Sequence, residues 1–306
     1  MIVHAEGDTS PNPADRQTVQ TKGNTMRTIL SKISRLILLA ALASGTAFTN
    51  ASAQDLPPLP ESIKAQGKIR IGVKCDAPPF GATDVSGGHI GIEVEMAKKI
   101  GEYAFGSEDG AELSCVTSES RIPALNAGKI DLILATLGRT ASRQEVVDYS
   151  NIYFWGTSNV LVPSGSSVQQ LSDLEGKTLL IVKGGSQMKW FEANMPSVKM
   201  TQLNTTADCI QALQQGRADG YVGDGGLIYT LGANYDDLRV VEEGLDLGVN
   251  GIGLRKNEPE LQAFVNAVLD ELKNGDFYQQ VIPEFVEEPA VVDVMKTGFL
   301  QDPPNI

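Results

Sequence analysis

The chain is poor in histidine, cysteine and basic residues, and each shortage closes off a class of function. His4 and His89 are its only histidines, and Cys75, Cys115 and Cys209 stand far apart along 306 residues. No histidine–cysteine group has zinc-ligand spacing, so neither a structural zinc site nor a Cys-x-x-Cys redox centre is expected, and no cofactor is implied. Lysine and arginine number 25 against 38 acids, a formal charge of −13. Such a chain is not expected to wrap nucleic acid through phosphate contacts. Long apolar runs are missing too. The strongest covers residues 36–43, Leu-Ile-Leu-Leu-Ala-Ala-Leu-Ala, far short of the ~20 residues of a membrane span. What remains is an ordinary globular composition, 42% hydrophobic and 21% charged, long enough for one large or two medium domains.

The short apolar run has neighbours that give it a meaning. Arg27, Lys32 and Arg35 precede it, and Ala51-Ser52-Ala53 comes after it. That order is the pattern of a cleavable secretory signal peptide. Residues 1–53 are therefore expected to be an address, with Met26 as the start and residues 1–25 an upstream extension. The exported protein is expected in an oxidising compartment. There Cys75 and Cys115 could pair if their strands are neighbours, since that compartment permits disulfides. The expectation adopted is the plainer one, that the cysteines are buried and unpaired.

Beyond the Pro-rich residues 56–60, strands and helices alternate. Strands are expected at 68–75, 112–117 and 129–135, with helices at 90–104 and 121–127. A second set comes next: strands at 177–183, 198–203 and 219–223, and helices at 186–194, 205–216 and from Gly225. This alternation predicts α/β layers with largely parallel sheets in two lobes. Extended stretches at 153–162 and 245–254 would carry the chain between lobes twice. The first lobe would then be discontinuous, residues 54–158 plus 250–306, around a second lobe of residues 159–249. A last helix is expected over 259–273.

Open α/β sheets bind ligands beyond the carboxyl ends of their strands. Those places hold Lys74 and Asp76, then Arg121, then Thr136, Gly138 and Arg143. In the second set they hold Gly185, Ser186 and Asp224. Each has a plainer reading: Lys74 and Arg121 as solvated charges, Arg143 as a helix-start decoration, Ser186 and Asp224 as helix caps. Together they suit a small zwitterion or anion, because free amides at a helix N-terminus bind anions. Enzyme motifs fail. Gly176-Lys177-Thr178 lacks the first glycine of a phosphate loop, and residues 184–188 lack the last glycine of a nucleophile elbow.

Gly91-Ile92-Glu93-Val94-Glu95-Met96-Ala97 resembles the signature of the bacterial extracellular solute-binding proteins, family 3, the periplasmic amino-acid receptors of ABC importers. Arg121-Ile122-Pro123-Ala124-Leu125, Gly128-Lys129-Ile130-Asp131-Leu132, residues 143–150 and residues 171–177 extend the likeness across about 68–285. The resemblance implies the type II periplasmic-binding-protein fold, with two hinge strands and a ligand in the interlobe cleft. It implies a monomer that meets an ABC permease in the inner membrane. It gives Arg143 the ligand's α-carboxylate, with Thr136 and the Gly138 backbone completing the first-lobe half of the site, Ser186 contacting the same carboxylate from the second-lobe helix start, and Asp224 the α-ammonium. Two departures stand out. Ala77 replaces a common aromatic ring, and Gly138 and Gly185 replace hydroxyl residues, so their amides are expected to carry those contacts.

The function expected is solute binding rather than catalysis. Lys74 and Arg121 remain after the α-amino-acid clamp is assigned, and two cations suit an acidic, glutamate- or aspartate-like side chain. Asp76 and Glu119 are the counter-argument, since they could neutralise both. The alternative is a periplasmic enzyme resembling cyclohexadienyl dehydratase, for which Glu119 is the candidate acid.

Overall fold

A computed structural model describes residues 56–304; the expected signal peptide lies outside them. The chain opens with helix α1 (Glu61–Gln66) and strand β1 (Ile69–Val73), then a three-stranded ribbon of β2 (Asp76–Ala77), β3 (Gly81–Thr83) and β4 (His89–Ile90). Helix α2 (Ile92–Phe105) leads to β5 (Ala111–Cys115), α3 (Arg121–Asn126), β6 (Leu132–Leu134), α4 (Ala141–Gln144) and β7 (Asp148–Gly156). Next come β8 (Ser158–Pro163), β9 (Thr178–Val182), α5 (Gln187–Asn194), β10 (Lys199–Leu203), α6 (Thr206–Gln214), β11 (Gly220–Asp224), α7 (Gly225–Asn234) and β12 (Leu238–Val241). Strand β13 (Gly248–Leu254) and helices α8 (Pro259–Asn274), α9 (Phe277–Phe285) and α10 (Pro289–Leu300) complete it.

Local chemistry explains these elements. Gly91 opens α2 at φ 127, a conformation that disfavours side chains, and a Cβ there would fall 2.5 Å from the Phe80 carbonyl oxygen. Met96, Ala97 and Ile100 then recur at helical spacing on the buried face, and Gly106 closes the helix in the left-handed region. Thr205 and Asp208 form a reciprocal capping box at the start of α6. On α8, Leu261, Phe264, Val265, Val268 and Leu272 make one apolar stripe. Among the described residues, no helix is long and apolar enough to cross a membrane.

Two five-stranded sheets organise a two-lobed α/β fold. The first has the order β5-β1-β6-β13-β7, and the second β10-β9-β11-β8-β12. In each, four strands share one direction and the fourth strand in the order, β13 or β8, runs against them. The chain leaves the first sheet between β7 and β8, at Thr157, and returns between β12 and β13. Helix α10 touches both lobes. Gly298 lies where a Cβ would sit 2.4 Å from the Phe154 ring, and the Met295 sulfur lies where a Cβ on Gly226 of α7 would sit 2.7 Å away.

One expectation is overturned. Cys75 and Cys115 are joined in a disulfide, with Cα atoms 5.6 Å apart. The parallel register of β1 and β5 pairs Val73 with Cys115, which leaves Cys75 at bridging distance just past the end of its strand. Cys209 is unpaired and buried, and that burial pushes its thiol up to about 12, so it remains protonated.

Candidate functional site

The carboxyl ends of the parallel strands of both sheets open onto one cleft. From the first lobe it is lined by Lys74, Arg121 and Thr136; from the second, by Gly185, Ser186 and Asp224. All six were expected from the sequence. Ala77, Ser118, Gln187, Thr206, Tyr221 and Leu227 also face it. Ala77 leaves this side without an aromatic ring. Phe80, three residues on, is fully buried against Phe154 and Phe299.

Lys74 emerges from β1 almost fully buried, 3% exposed, and its Nζ sits 2.8 Å from Asp76 Oδ1. Part of the case against an acidic ligand is therefore realised, because Asp76 does neutralise Lys74. The other Asp76 oxygen, Oδ2, is buried without a partner. Glu119, by contrast, does not pair with Arg121. It is exposed and joined to Lys183 at 2.8 Å.

Arg121 starts α3 and is 2% exposed. Its Nη1 donates to the carbonyls of Ala135 and, at 3.2 Å, Thr136, while Nε has no partner. Burial, and then the nearby Arg143 charge, pull the guanidinium down to about 10, so it stays charged at neutral pH. Thr136 is held at φ 47, an uncommon backbone for a branched residue. Its amide donates to both oxygens of Glu93, at 2.8 and 3.1 Å. Glu93 is wholly buried on α2 and also accepts from the Tyr153 hydroxyl. Burial pushes its carboxyl up to about 7 against the opposing pull of those hydrogen bonds and of Arg121.

Arg143 stands at the rim. Its Nη1 donates to the Gly138 carbonyl at 2.8 Å and its Nη2 to the Gly184 carbonyl at 2.9 Å, so one guanidinium touches both lobes. A Cβ on Gly138 would lie 3.5 Å from Arg143 Nη1 and 3.6 Å from Ser186 Oγ. These three residues therefore converge. The amides expected from Gly138 and Gly185 are already engaged, donating to Thr136 O and Val182 O at 3.0 Å each. Both glycines sit in turns whose own bonds use those N–H groups, a correction to the sequence reading. The Ser186 hydroxyl, at the start of α5, makes no capping bond.

Asp224 ends β11 and precedes α7. Its Oδ1 accepts from Gln187 Nε2 at 2.9 Å. Burial holds its carboxyl above the usual range, with Arg121 and Lys74 opposing. The lobes meet tightly beside it. A Cβ on Gly184, whose φ is +84, would lie 2.7 Å from the Glu119 amide nitrogen, and Lys189 Nζ reaches Ser142 Oγ at 2.8 Å.

Sequence reasoning missed Glu93, Thr206 and Tyr221. For Glu93 a signal existed, because it shares the helical face of Met96, Ala97 and Ile100, where an acid is out of place. Tyr221 lies inside a strand and reads as core. Thr206 reads as an ordinary helix start.

Known proteins resemble this chain in sequence and in fold over most of its length. The family model described as bacterial extracellular solute-binding proteins, family 3, matches residues 69–288. The ABC transporter glutamine-binding protein GlnH of Bacillus subtilis is 30% identical over 258 residues, 83% of this chain and 94% of its own length. The glutamate-binding protein GluB of Corynebacterium glutamicum is 26% identical, over 74% of this chain and 81% of its own. Among solved structures, the cysteine-binding protein from Campylobacter jejuni superposes with a TM-score of 0.72 at 29% identity, covering 76% of this chain and 96% of that one.

Proposed function

The chain belongs to the bacterial extracellular solute-binding proteins, family 3, and from that premise we propose that it is a monomeric periplasmic receptor delivering an acidic amino acid to an ABC permease in the inner membrane. Both relatives are named for amino-acid binding, and the Bacillus subtilis protein for an ABC transporter. The finer reading divides the ligand between the lobes, residues 54–158 plus 250–306 and residues 159–249. Arg143 takes the α-carboxylate, since a planar fork of donors matches a carboxylate, and the Ser186 hydroxyl assists. Asp224 takes the α-ammonium. Lys74, Asp76, Arg121, Thr136, Gly138 and Gly185 shape the remainder.

One observation carries the choice of an acidic side chain. Arg121 is buried and charged beside the cleft with its Nε unpaired. Of the two acids whose charges act on it, Glu93 is pushed up to about 7 by burial, while Asp224 accepts from Gln187 and is assigned to the ligand ammonium. A ligand carboxylate would supply the missing counter-charge, and leaving such a group unmatched is costly. A second reading has its own support. The Lys74–Asp76 ion pair removes one of the two cations, which favours a neutral polar side chain.

Catalysis has less behind it. Glu119 is exposed and paired with Lys183, and Glu93, the acid tuned toward neutrality, has its oxygens committed to Thr136 and Tyr153. Competitive calorimetry with glutamate, aspartate, glutamine, asparagine and cysteine tests the choice, repeated on Arg121→Met. Acids should bind at least tenfold more tightly than amides, a margin of about 1.4 kcal/mol, and Arg121→Met should erase the preference. Amides binding as tightly as acids would establish the second reading instead.

A further inference from the structure

Away from the cleft, three side chains able to ligate a soft metal meet on the first lobe. Cys75 lies just past β1, Cys115 ends β5, and His89 begins β4 on the neighbouring ribbon. Sequence spacing hides the group, since His89 is 14 residues from one cysteine and 26 from the other. The fold gathers all three ligand atoms within 4.8 Å of one another. His89 Nδ1 stands 3.5 Å from Cys75 Sγ and 3.8 Å from Cys115 Sγ.

We propose that the dithiol form of this cluster binds a thiophilic divalent cation of the zinc class through Cys75 Sγ, Cys115 Sγ and His89 Nδ1, with water in the fourth position. Zinc takes sulfur at about 2.3 Å and imidazole nitrogen at about 2.0–2.1 Å, which in a tetrahedron sets adjacent sulfur and nitrogen ligands about 3.5 Å apart. Both nitrogen–sulfur separations already stand close to that edge. The ladder pairing of His89 with Thr83 fixes the imidazole's backbone, and the exposed Cys115 leaves a path for the ion.

The bonded sulfurs are what keep the metal out. A small-molecule or protein dithiol gives two electrons and two protons to the Cys75–Cys115 bond, which breaks into two thiols while the donor closes its own disulfide. Metal binding then releases the two thiol protons to solvent. The site is thus open only in the reduced protein, and it does not rest on any assignment in the cleft.

The test uses the whole mature protein, reduced with dithiothreitol, freed of it under argon and titrated with cobalt(II). A thiolate-to-cobalt charge-transfer band with tetrahedral ligand-field bands should saturate at one equivalent and vanish on adding zinc. The oxidised protein should show neither. His89→Ala keeps the disulfide and, once reduced, should bind cobalt at least about tenfold more weakly. Cys75→Ser should abolish the charge-transfer signal, and Cys209→Ser should leave it intact. The proposal fails if reduced, folded protein gives no charge-transfer band. It fails equally if His89→Ala binds as the parent does, or if circular dichroism shows that reduction alone unfolds the chain.

Discussion

The two halves of the cleft solve the same problem with different materials. The first lobe supplies buried cations, Lys74 and Arg121, and each is tied to its own lobe: Lys74 to Asp76, Arg121 to two carbonyls. The second lobe supplies one acid and neutral groups, Asp224 with Gln187, Ser186, Thr206 and Tyr221. A buried cation needs partners before any ligand arrives, and these contacts supply them from within the first half. The second half depends on a glycine turn and a helix start, and its fit depends on how closely the lobes approach. On the proposed reading, specificity should rest mainly on the first lobe and closure mainly on the second.

The largest test of this contrast removes the groups that face across it. Arg143→Ala and Asp224→Ala should each weaken amino-acid binding by about 2–5 kcal/mol in calorimetry, with unfolding curves close to those of the parent. Either variant binding normally would end the clamp assignment for that residue.

Next in size is the buried acid behind Thr136. Glu93 has its ordinary value near 4.5 in the unfolded chain and about 7 when folded. The folded state holds its proton more tightly, so its contribution to stability is greatest below about 4.5 and is lost as pH rises through about 7. Relative to Glu93→Gln, the parent should lose on the order of 1–3 kcal/mol across that window in urea unfolding. A pH-independent difference would show that Glu93 does not titrate there.

Closure has a smaller and more selective test. Gly184→Ala adds a Cβ where the opposing backbone stands 2.7 Å away, whereas Gly176→Ala meets nothing within 4 Å. Both glycines have positive φ, so both substitutions strain the chain by about 1–2 kcal/mol. Only Gly184→Ala should also lower ligand affinity, by roughly tenfold, and leave the ligand-bound protein more extended in small-angle scattering. Equal affinity losses in the two variants would remove the argument for close approach. The least effect belongs to the exposed Lys183–Glu119 pair. Lys183→Ala should change affinity by less than about 1 kcal/mol, and less still at high salt.

Much of the fold and site is legible in the sequence because it rests on periodicity and on the residues just past each strand. Helix α2 lies at 92–105 where 90–104 was expected, and six of the nine predicted site residues line the cleft. The remainder escaped for physical reasons. The ribbon β2–β4 has strands of two or three residues, too short to show alternation. The disulfide and the His89 cluster depend on the register of β1 and β5, which no single segment encodes. Whether the amides of Gly138 and Gly185 are free depends on turn geometry. Helices α9 and α10, beyond the last expected helix, went unanticipated; Pro283 inside α9 breaks the pattern a helix would show.

The raised carboxyl of Asp224 carries a consequence for the heat of binding. On the proposed reading it accepts the ligand ammonium and so gains a partner that favours its charged form, and its proton affinity should fall on binding. Wherever Asp224 carries a proton in the free protein, the incoming amino acid should then expel that proton into the buffer, and the observed enthalpy should include the buffer's own heat of protonation. Titrations in buffers of differing protonation enthalpy should give heats whose slope counts that expelled proton, and Asp224→Asn should bring the slope to zero.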